Sequence, residues 1–233
     1  MRANEFFIET NFWAERNAKI EQYSNQSEEE QLNALKTDPF LIQYIKNPSL
    51  KLQLYAVSRA GWPIKNIQNP TEQVQLAAVT ANWRVISGIE NPSETVQLTA
   101  IKQDPEAIGG IRNPSESVQL YAVKINGDVL GYIKNPTKKV QLAAIKQTGY
   151  AIRYIENPTE AQKKIAVENE GRAIRFIKNP SEEIQWAAIK QNKDAIKGIK
   201  NPSLAMQLYL VEKNPRYVKL FKNPDEQVQL SVI

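Results

Sequence analysis

The chain has 233 residues, 30 Lys and Arg against 25 Asp and Glu, a formal net charge of +5, and neither cysteine nor histidine. Those absences exclude thiol nucleophiles, disulfides, the usual zinc ligands and the commonest general base, so no cofactor or metal is expected. The mild basic excess permits a nucleic acid or an acidic protein surface as partner and requires neither.

In chain order, the opening "MRANEFFIETNFWAERNAKIEQYS" breaks its short apolar runs with Glu5, Glu9, Glu15 and Arg16. It lacks the long apolar stretch of a signal peptide or membrane span, so a cytoplasmic protein with no membrane contact is expected. Ile20 and Tyr23 fit the two late apolar positions of the pattern that follows, and residues 1–24 read as an N-terminal cap. From residue 25 a repeat takes over. Asn-Pro pairs begin at Asn47, Asn69, Asn91, Asn113, Asn135, Asn157, Asn179, Asn201 and Asn223, always at the same spacing, with no insertion between copies. A degenerate copy precedes them, with Asn25, Ser27, Gln31, Leu32, Ala34, Ile42 and Ile45 in register and Gln26 in place of proline. The array 25–233 therefore reads as one solenoid, which grows by stacking and has no single core.

Counting the Asn as position 1, the repeat runs N-P-[S/T]-E-x-V-Q-L-x-A-[V/I], then a variable stretch, then I-x-x-I and a last residue that is usually Lys. This predicts a helix of about eleven residues and a shorter helical segment. Proline disfavours the helical conformation in the preceding residue, so Asn ends one segment, and either Asn or the following Ser/Thr caps the next helix. Glutamate at position 4 suits the positive end of the helix dipole, and Lys36, Lys102, Lys124, Lys146 and Lys190 suit the other. Gly61, Gly127, Gly149 and Gly171 at position 15 read as helix stops, and Pro39, Pro105 and Pro215 there as helix starts. The closing Ile-x-x-Ile, as in Ile152 and Ile155, places both side chains on one side of a single α or 3₁₀ turn.

Position 7 is glutamine, in Gln31, Gln53, Gln75, Gln97, Gln119, Gln141, Gln185, Gln207 and Gln229. At roughly 100° per residue it points near the centre of an apolar arc of about 200° spanning positions 6, 10, 7, 11 and 8. A buried, unpaired amide costs roughly 1–3 kcal/mol, so these amides need partners. The backbone of the Asn-Pro corner, in the same or a neighbouring repeat, is the nearest supply; a polar ladder lining a ligand groove is the alternative.

Runs such as "NPTKKVQLAAIKQTGYAIRYI" resemble the leucine-rich variant repeat and, more loosely, HEAT-type repeats; they are also similar to a bacterial and phage repeat domain of unassigned function. Over residues 25–233 the resemblance implies an all-α, right-handed α-solenoid superhelix of about ten 22-residue repeats. It implies no catalytic residue. The iron–sulfur segment associated with the variant-repeat family does not carry over to a chain without cysteine.

Little in the pattern suggests catalysis. "IGGIRN" at Ile108 to Asn113 is not a phosphate loop, and its glycines fit close packing. The adjacent acids Glu28 to Glu30, and Glu182 with Glu183, lie in first-turn rows that the helix dipole explains. Charge is more telling on the second segment. Positions 19 and 22 carry Lys46, Lys65, Arg112, Lys134, Arg153, Arg175, Lys178, Lys197, Lys200, Lys219 and Lys222 against Glu90 and Glu156. Stacking turns these into a basic stripe, densest after residue 150, where Tyr154, Phe176, Arg172 and Arg216 join it. Such a stripe is either a single-strand nucleic acid track or a solvated face whose rings cover a neighbour's edge. One repeat breaks the rule: "NPTEAQKKIAVENEG" puts Gln162, Lys163 and Lys164 where Val-Gln-Leu belongs, with Ile165 one position late. Either stacking is poorer there or the helix rotates to bury Ile165, marking a hinge or contact patch. Trp62, Trp83, Tyr55, Tyr121 and Tyr209 fall outside the repeated core set and read as exposed contact residues.

Taken together, these features lead to the expectation of a non-enzymatic protein-binding scaffold or adaptor, of the kind a phage or bacterium uses to wrap a host or defence protein. The runner-up is an RNA or single-stranded DNA binder using the stripe. Self-association is a further expectation, because the chain stops at Ile233 before the second segment of its last repeat.

Overall fold

The computed structural model describes residues 2–231, with side chains from Phe12 onward. The chain falls into two compact halves, residues 1–118 and 119–233. In the N-terminal half α1 (Arg2–Ser24) is followed by α2 (Glu28–Thr37), α3 (Leu50–Ala60), α4 (Glu72–Ala81) and α5 (Glu94–Gln103), which alternate with the 3₁₀ helices η1 (Pro39–Tyr44), η2 (Trp62–Asn66), η3 (Trp83–Gly88) and η4 (Pro105–Gly110). The halves divide within α6 (Glu116–Ile125). The C-terminal half continues with η5 (Gly127–Tyr132), α7 (Lys138–Gln147), η6 (Gly149–Tyr154), α8 (Glu160–Asn169), η7 (Gly171–Phe176), α9 (Glu182–Gln191), η8 (Lys193–Gly198), α10 (Leu204–Lys213), η9 (Pro215–Leu220) and α11 (Glu226–Leu230). No β-strand occurs among the described residues. Within each half, long helices contact long helices and short helices contact short ones, two rows with the core between them. This is the architecture of an α-solenoid built from tandem two-helix repeats.

The start of each repeat is now explicit. The Ser/Thr at position 3 is the N-cap, and except at Ser203 its hydroxyl accepts from the backbone N–H three residues on, as Ser49 does from Leu52 at 3.3 Å, Thr71 from Val74 at 3.4 Å and Thr137 from Val140 at 3.3 Å. The asparagine before proline has a different task. Asn47, Asn69, Asn91, Asn113, Asn135 and Asn179 sit at φ of 47–50°, in the left-handed region that asparagine tolerates better than other residues with a side chain. The last turn of each repeat is 3₁₀, as Ile155 N donating to Ile152 O at 3.1 Å illustrates, and both of those isoleucines are buried.

The glutamines fasten the corner of their own repeat. Gln53 Nε2 donates to Pro48 O at 2.8 Å, and the same bond five residues back recurs for Gln75, Gln97, Gln141, Gln185, Gln207 and Gln229 at 2.8–3.1 Å. Gln31, which has no Asn-Pro pair, reaches Tyr23 O and Gln26 O instead. Position 7 is nevertheless not the deepest: positions 6, 10 and 11, for example Val74, Ala78 and Val79, are fully buried while Gln75 is half-buried. It lies at the N-terminal rim of the apolar face, where the corner opens to water. Gln75 accordingly also lines a polar cleft of about 460 Å³ with Asn69, Pro70 and Asn91.

Position 15 departs from expectation. Gly61 does stop a helix, with φ 74°. Gly127, Gly149 and Gly171 instead open the following 3₁₀ helix and are buried, the preceding α-helices being closed by Asn126, Thr148 and Glu170 in extended conformations. Their lack of a side chain serves packing: a Cβ on Gly127 would lie 2.5 Å from Ala144 O, and one on Gly171 2.5 Å from Ala188 O, both backbone atoms of the next repeat.

A second amide row, at position 13, stitches repeats together. Gln103 Nε2 donates to Val79 O at 2.6 Å, and Asn169 Nδ2 to Ile145 O and Lys146 O at 3.0 and 2.9 Å. Gln147 donates to Ile125 O at 3.3 Å and accepts from Gly127 N at 2.7 Å; Gln191 does the same with Asn169 O at 3.0 Å and Gly171 N at 2.7 Å. These side chains satisfy carbonyls left over at the end of the preceding helix.

The aberrant repeat neither rotates nor loosens. Ala166 and Val167 stay fully buried in register and Ile165 remains half-buried. Gln162 fills the valine position, 7% exposed, because its amide is used twice: Oε1 accepts from Thr159 N at 2.9 Å in a capping box, and Nε2 donates to Gln141 Oε1 at 2.9 Å.

Candidate binding surface

The ten surface residues singled out in the sequence all fall in the C-terminal half, but they form two groups. Lys163 and Lys164 belong to the long-helix row. Lys163 pairs with Glu160 at 2.7 Å; Lys164 pairs with Glu183 at 2.7 Å and borders a shallow depression of about 730 Å³ with Trp186, Lys190 and Tyr209. The hydrogen bond to Glu183 holds the Lys164 ammonium above its usual pKa, and Lys163 holds Glu160 below the usual carboxylate range. Both pairs are solvated and contribute little to stability.

The other group lies on η6, η7 and η8, each of which contacts the next, with Lys178 and Lys200 in the corners that follow η7 and η8. The short helices come close where a glycine, Gly131 at position 19 and Gly198 at position 20, faces bulkier groups of a neighbouring repeat. A Cβ on Gly198 would lie 3.2 Å from Arg175 N, and one on Gly131 2.6 Å from the Tyr154 ring. That approach assembles a continuous stack. The Arg153 guanidinium lies 4.7 Å from the Tyr154 ring centroid and 5.8 Å from that of Phe176; Arg175 lies 4.7 Å from Phe176 and 5.3 Å from Tyr150. Tyr150 and Phe176 meet edge to face at 6.1 Å. The order is Tyr154, Arg153, Phe176, Arg175, Tyr150, cation and ring alternating, each contact adding about 0.5–1 kcal/mol at an exposed site.

Carboxylates flank this row. Asp128 pairs with Arg153 at 3.2 Å, while Asp194 is bound by the Arg172 guanidinium and lies 3.6 Å from Lys197 Nζ. The Arg172 hydrogen bond, reinforced by the charge of Lys197, holds the Asp194 carboxyl below the usual range against the opposing effect of burial. Between these two acids, position 16 is Tyr150 and then Arg172, so the row runs out of anions. Arg175, Lys178 and Lys200 are exposed and have no carboxylate within 4 Å among the described residues.

Tyr150, Asp128 and Asp194 are not visible in the basic stripe itself, which is marked by its cations and by the rings at position 20. A search of the preceding repeat for acids and rings able to meet each cation would have found two of them, Asp128 and Tyr150. Of the proposed exposed aromatics, only Tyr121 is exposed; Tyr55, Trp62, Trp83 and Tyr209 are half-buried, and Lys65 and Arg84 lie over the two tryptophan rings at 4.4 and 4.3 Å. Among the acids considered for proton transfer, Glu30 closes the capping box with Ser27, and Glu28 is held by Ser49 and Lys51. Both sit below the usual carboxylate range, the opposite of what a general acid needs. No group of three or more Asp and Glu able to hold a metal occurs among the described residues, and none of their helices is long and apolar enough to cross a membrane. No family model, curated protein or solved structure matches this chain.

Proposed function

We propose that the chain is a non-enzymatic protein-binding scaffold that engages its partner through the short-helix row of its C-terminal half. The observation that carries this reading is the preset series of cation–ring contacts from Tyr154 to Tyr150, which contains an arginine, Arg175, without an anion. The ring contacts hold the guanidinium groups in place before any partner arrives, which lowers the ordering cost of binding. The same geometry weighs against a nucleic acid track. Bases need open ring faces, whereas Tyr150 and Phe176 are half-buried and each carries a guanidinium. Asp128 and Asp194 also stand where successive phosphates would pass.

The test is affinity capture on the immobilised full chain from nuclease-treated extract of the native host. The wild type is expected to retain a protein that the Arg153→Glu/Arg175→Glu variant releases. Retention only in extract that keeps its nucleic acid, with a steep loss on raising salt, would overturn the reading in favour of nucleic acid binding.

A further inference from the structure

The short-helix row of the C-terminal half has ion-paired acids at both ends and, among the described residues, none between them. Asp128 answers Arg153, and Asp194 answers Arg172 and Lys197; between them Arg175 lies against the edge-to-face pair Phe176 and Tyr150 with no acid within 4 Å among the described residues. Counting positions 16, 19 and 22 from Asp128 to Lys200, and leaving out Lys134, which lies on the preceding corner, six cations (Arg153, Arg172, Arg175, Lys178, Lys197, Lys200) face three acids (Asp128, Glu156, Asp194). The excess falls on Arg175, Lys178 and Lys200.

We infer that this gap is the docking site for an acidic, extended segment of the protein partner, one of whose carboxylates is received by Arg175. The inference rests on the scaffold reading and names the chemistry of what is bound. Three features of the row fit that occupant. A guanidinium presents a planar fork that matches a carboxylate, and contact with two rings restrains the Arg175 side chain in advance. Asp194 already adopts the bound arrangement in cis, its carboxylate on the Arg172 guanidinium with Lys197 beside it. And the row suits an extended chain: neighbouring helices lie about 8–10 Å apart and an extended segment rises about 3.3 Å per residue, so roughly six residues cross η6, η7 and η8. Tyr154, 40% exposed, offers an apolar surface beside the charged centre for side chains between the acids.

The probe is a fluorescein-labelled decapeptide of Asp and Glu spaced by Gly and Ser, titrated with the full chain at low salt and read by anisotropy, with a ten-nucleotide oligothymidylate in parallel. Arg175→Ala is expected to weaken peptide binding about tenfold, and Arg175→Lys several-fold, since it keeps the charge and loses the stacked fork. Lys146→Ala, an equal loss of charge on the long helix α7, is expected to change it less than about twofold. Asp194→Asn is expected to tighten it by releasing Arg172 and Lys197. Equal weakening by Arg175→Ala and Lys146→Ala, no peptide binding at all, or tighter binding of the oligonucleotide would each overturn the proposal. The two readings also fail separately. A captured partner that Arg175→Ala still retains removes this site and leaves the scaffold reading standing, whereas peptide binding at Arg175 with no protein captured does the reverse.

Discussion

Two glutamines at the same position of the repeat, in the same half of the chain, are expected to differ in what they contribute. Gln185 uses its amide once, donating from Nε2 to Pro180 O at 3.0 Å. Gln141 uses it twice, donating to Pro136 O at 3.1 Å and accepting from Gln162 Nε2 at 2.9 Å. Replacing either with methionine keeps length and approximate volume and removes the polar atoms. For Gln185→Met one net hydrogen bond is lost, a cost of about 1 kcal/mol. For Gln141→Met the same bond goes, and the buried Gln162 amide is also left with an unmatched donor, adding about 1–3 kcal/mol. The predicted totals are therefore about 1 and about 2–4 kcal/mol, measurable by urea denaturation followed by circular dichroism with the slope held constant. Gln162→Met should be non-additive with Gln141→Met, because the two share a bond, and additive with Gln185→Met. Equal costs for the two glutamines, or additivity of the 141/162 pair, would refute the account of how the corner amides work.

Three further outcomes are expected. Gly127→Ala drives a Cβ against the Ala144 carbonyl and should destabilise by about 1–3 kcal/mol, whereas Gly131→Ala meets only the Tyr154 ring, which can swing outward, and should stay within about 0.5 kcal/mol; paired urea midpoints separate them. Gln147→Leu removes the acceptor of Gly127 N and the donor to Ile125 O, and should cost about 1–3 kcal/mol with faster amide exchange at Gly127. Because the folded Asp194 carboxyl titrates below its unfolded value of about 3.9, its contribution is present at neutral pH and is lost as pH falls through the folded value; Asp194→Asn should flatten the decline in stability below about pH 5, and an unchanged decline would count against the Arg172 pairing.

What the sequence revealed was whatever repeats in phase. The constant interval, the capped long helix, the short turn closed by two isoleucines and the tethering of Gln53 or Gln185 to its own proline are each dictated by residues within one repeat. Features that join one repeat to the next were harder to see. At position 13 the stitching residues are Arg59, Gln103, Gln147, Asn169 and Gln191, but Ala81, Ile125 and Lys213 also occupy it, so no motif shows. The packing role of Gly127 depends on the carbonyl of Ala144 in the next repeat, and a glycine after a helix looks the same whether it ends that helix or admits the next one. The stack that includes Tyr150 was half visible, since Arg153, Arg175, Tyr154 and Phe176 stood out by type. Which ring meets which cation is fixed by how closely the short helices approach, and that is set by absent side chains at Gly131 and Gly198.

The tie from glutamine to the proline carbonyl of its own corner has a bearing on how such a chain changes length. A module with glutamine at position 7 carries its own clasp, so excising or duplicating one such module rejoins the remainder in phase. A block longer or shorter by a single residue would instead set the amide against the wrong carbonyl and turn the apolar stripe by roughly 100°. Growth by whole copies is thereby tolerated while slippage by single residues is punished, and an array of this design can be shortened or extended in the laboratory in steps of one module.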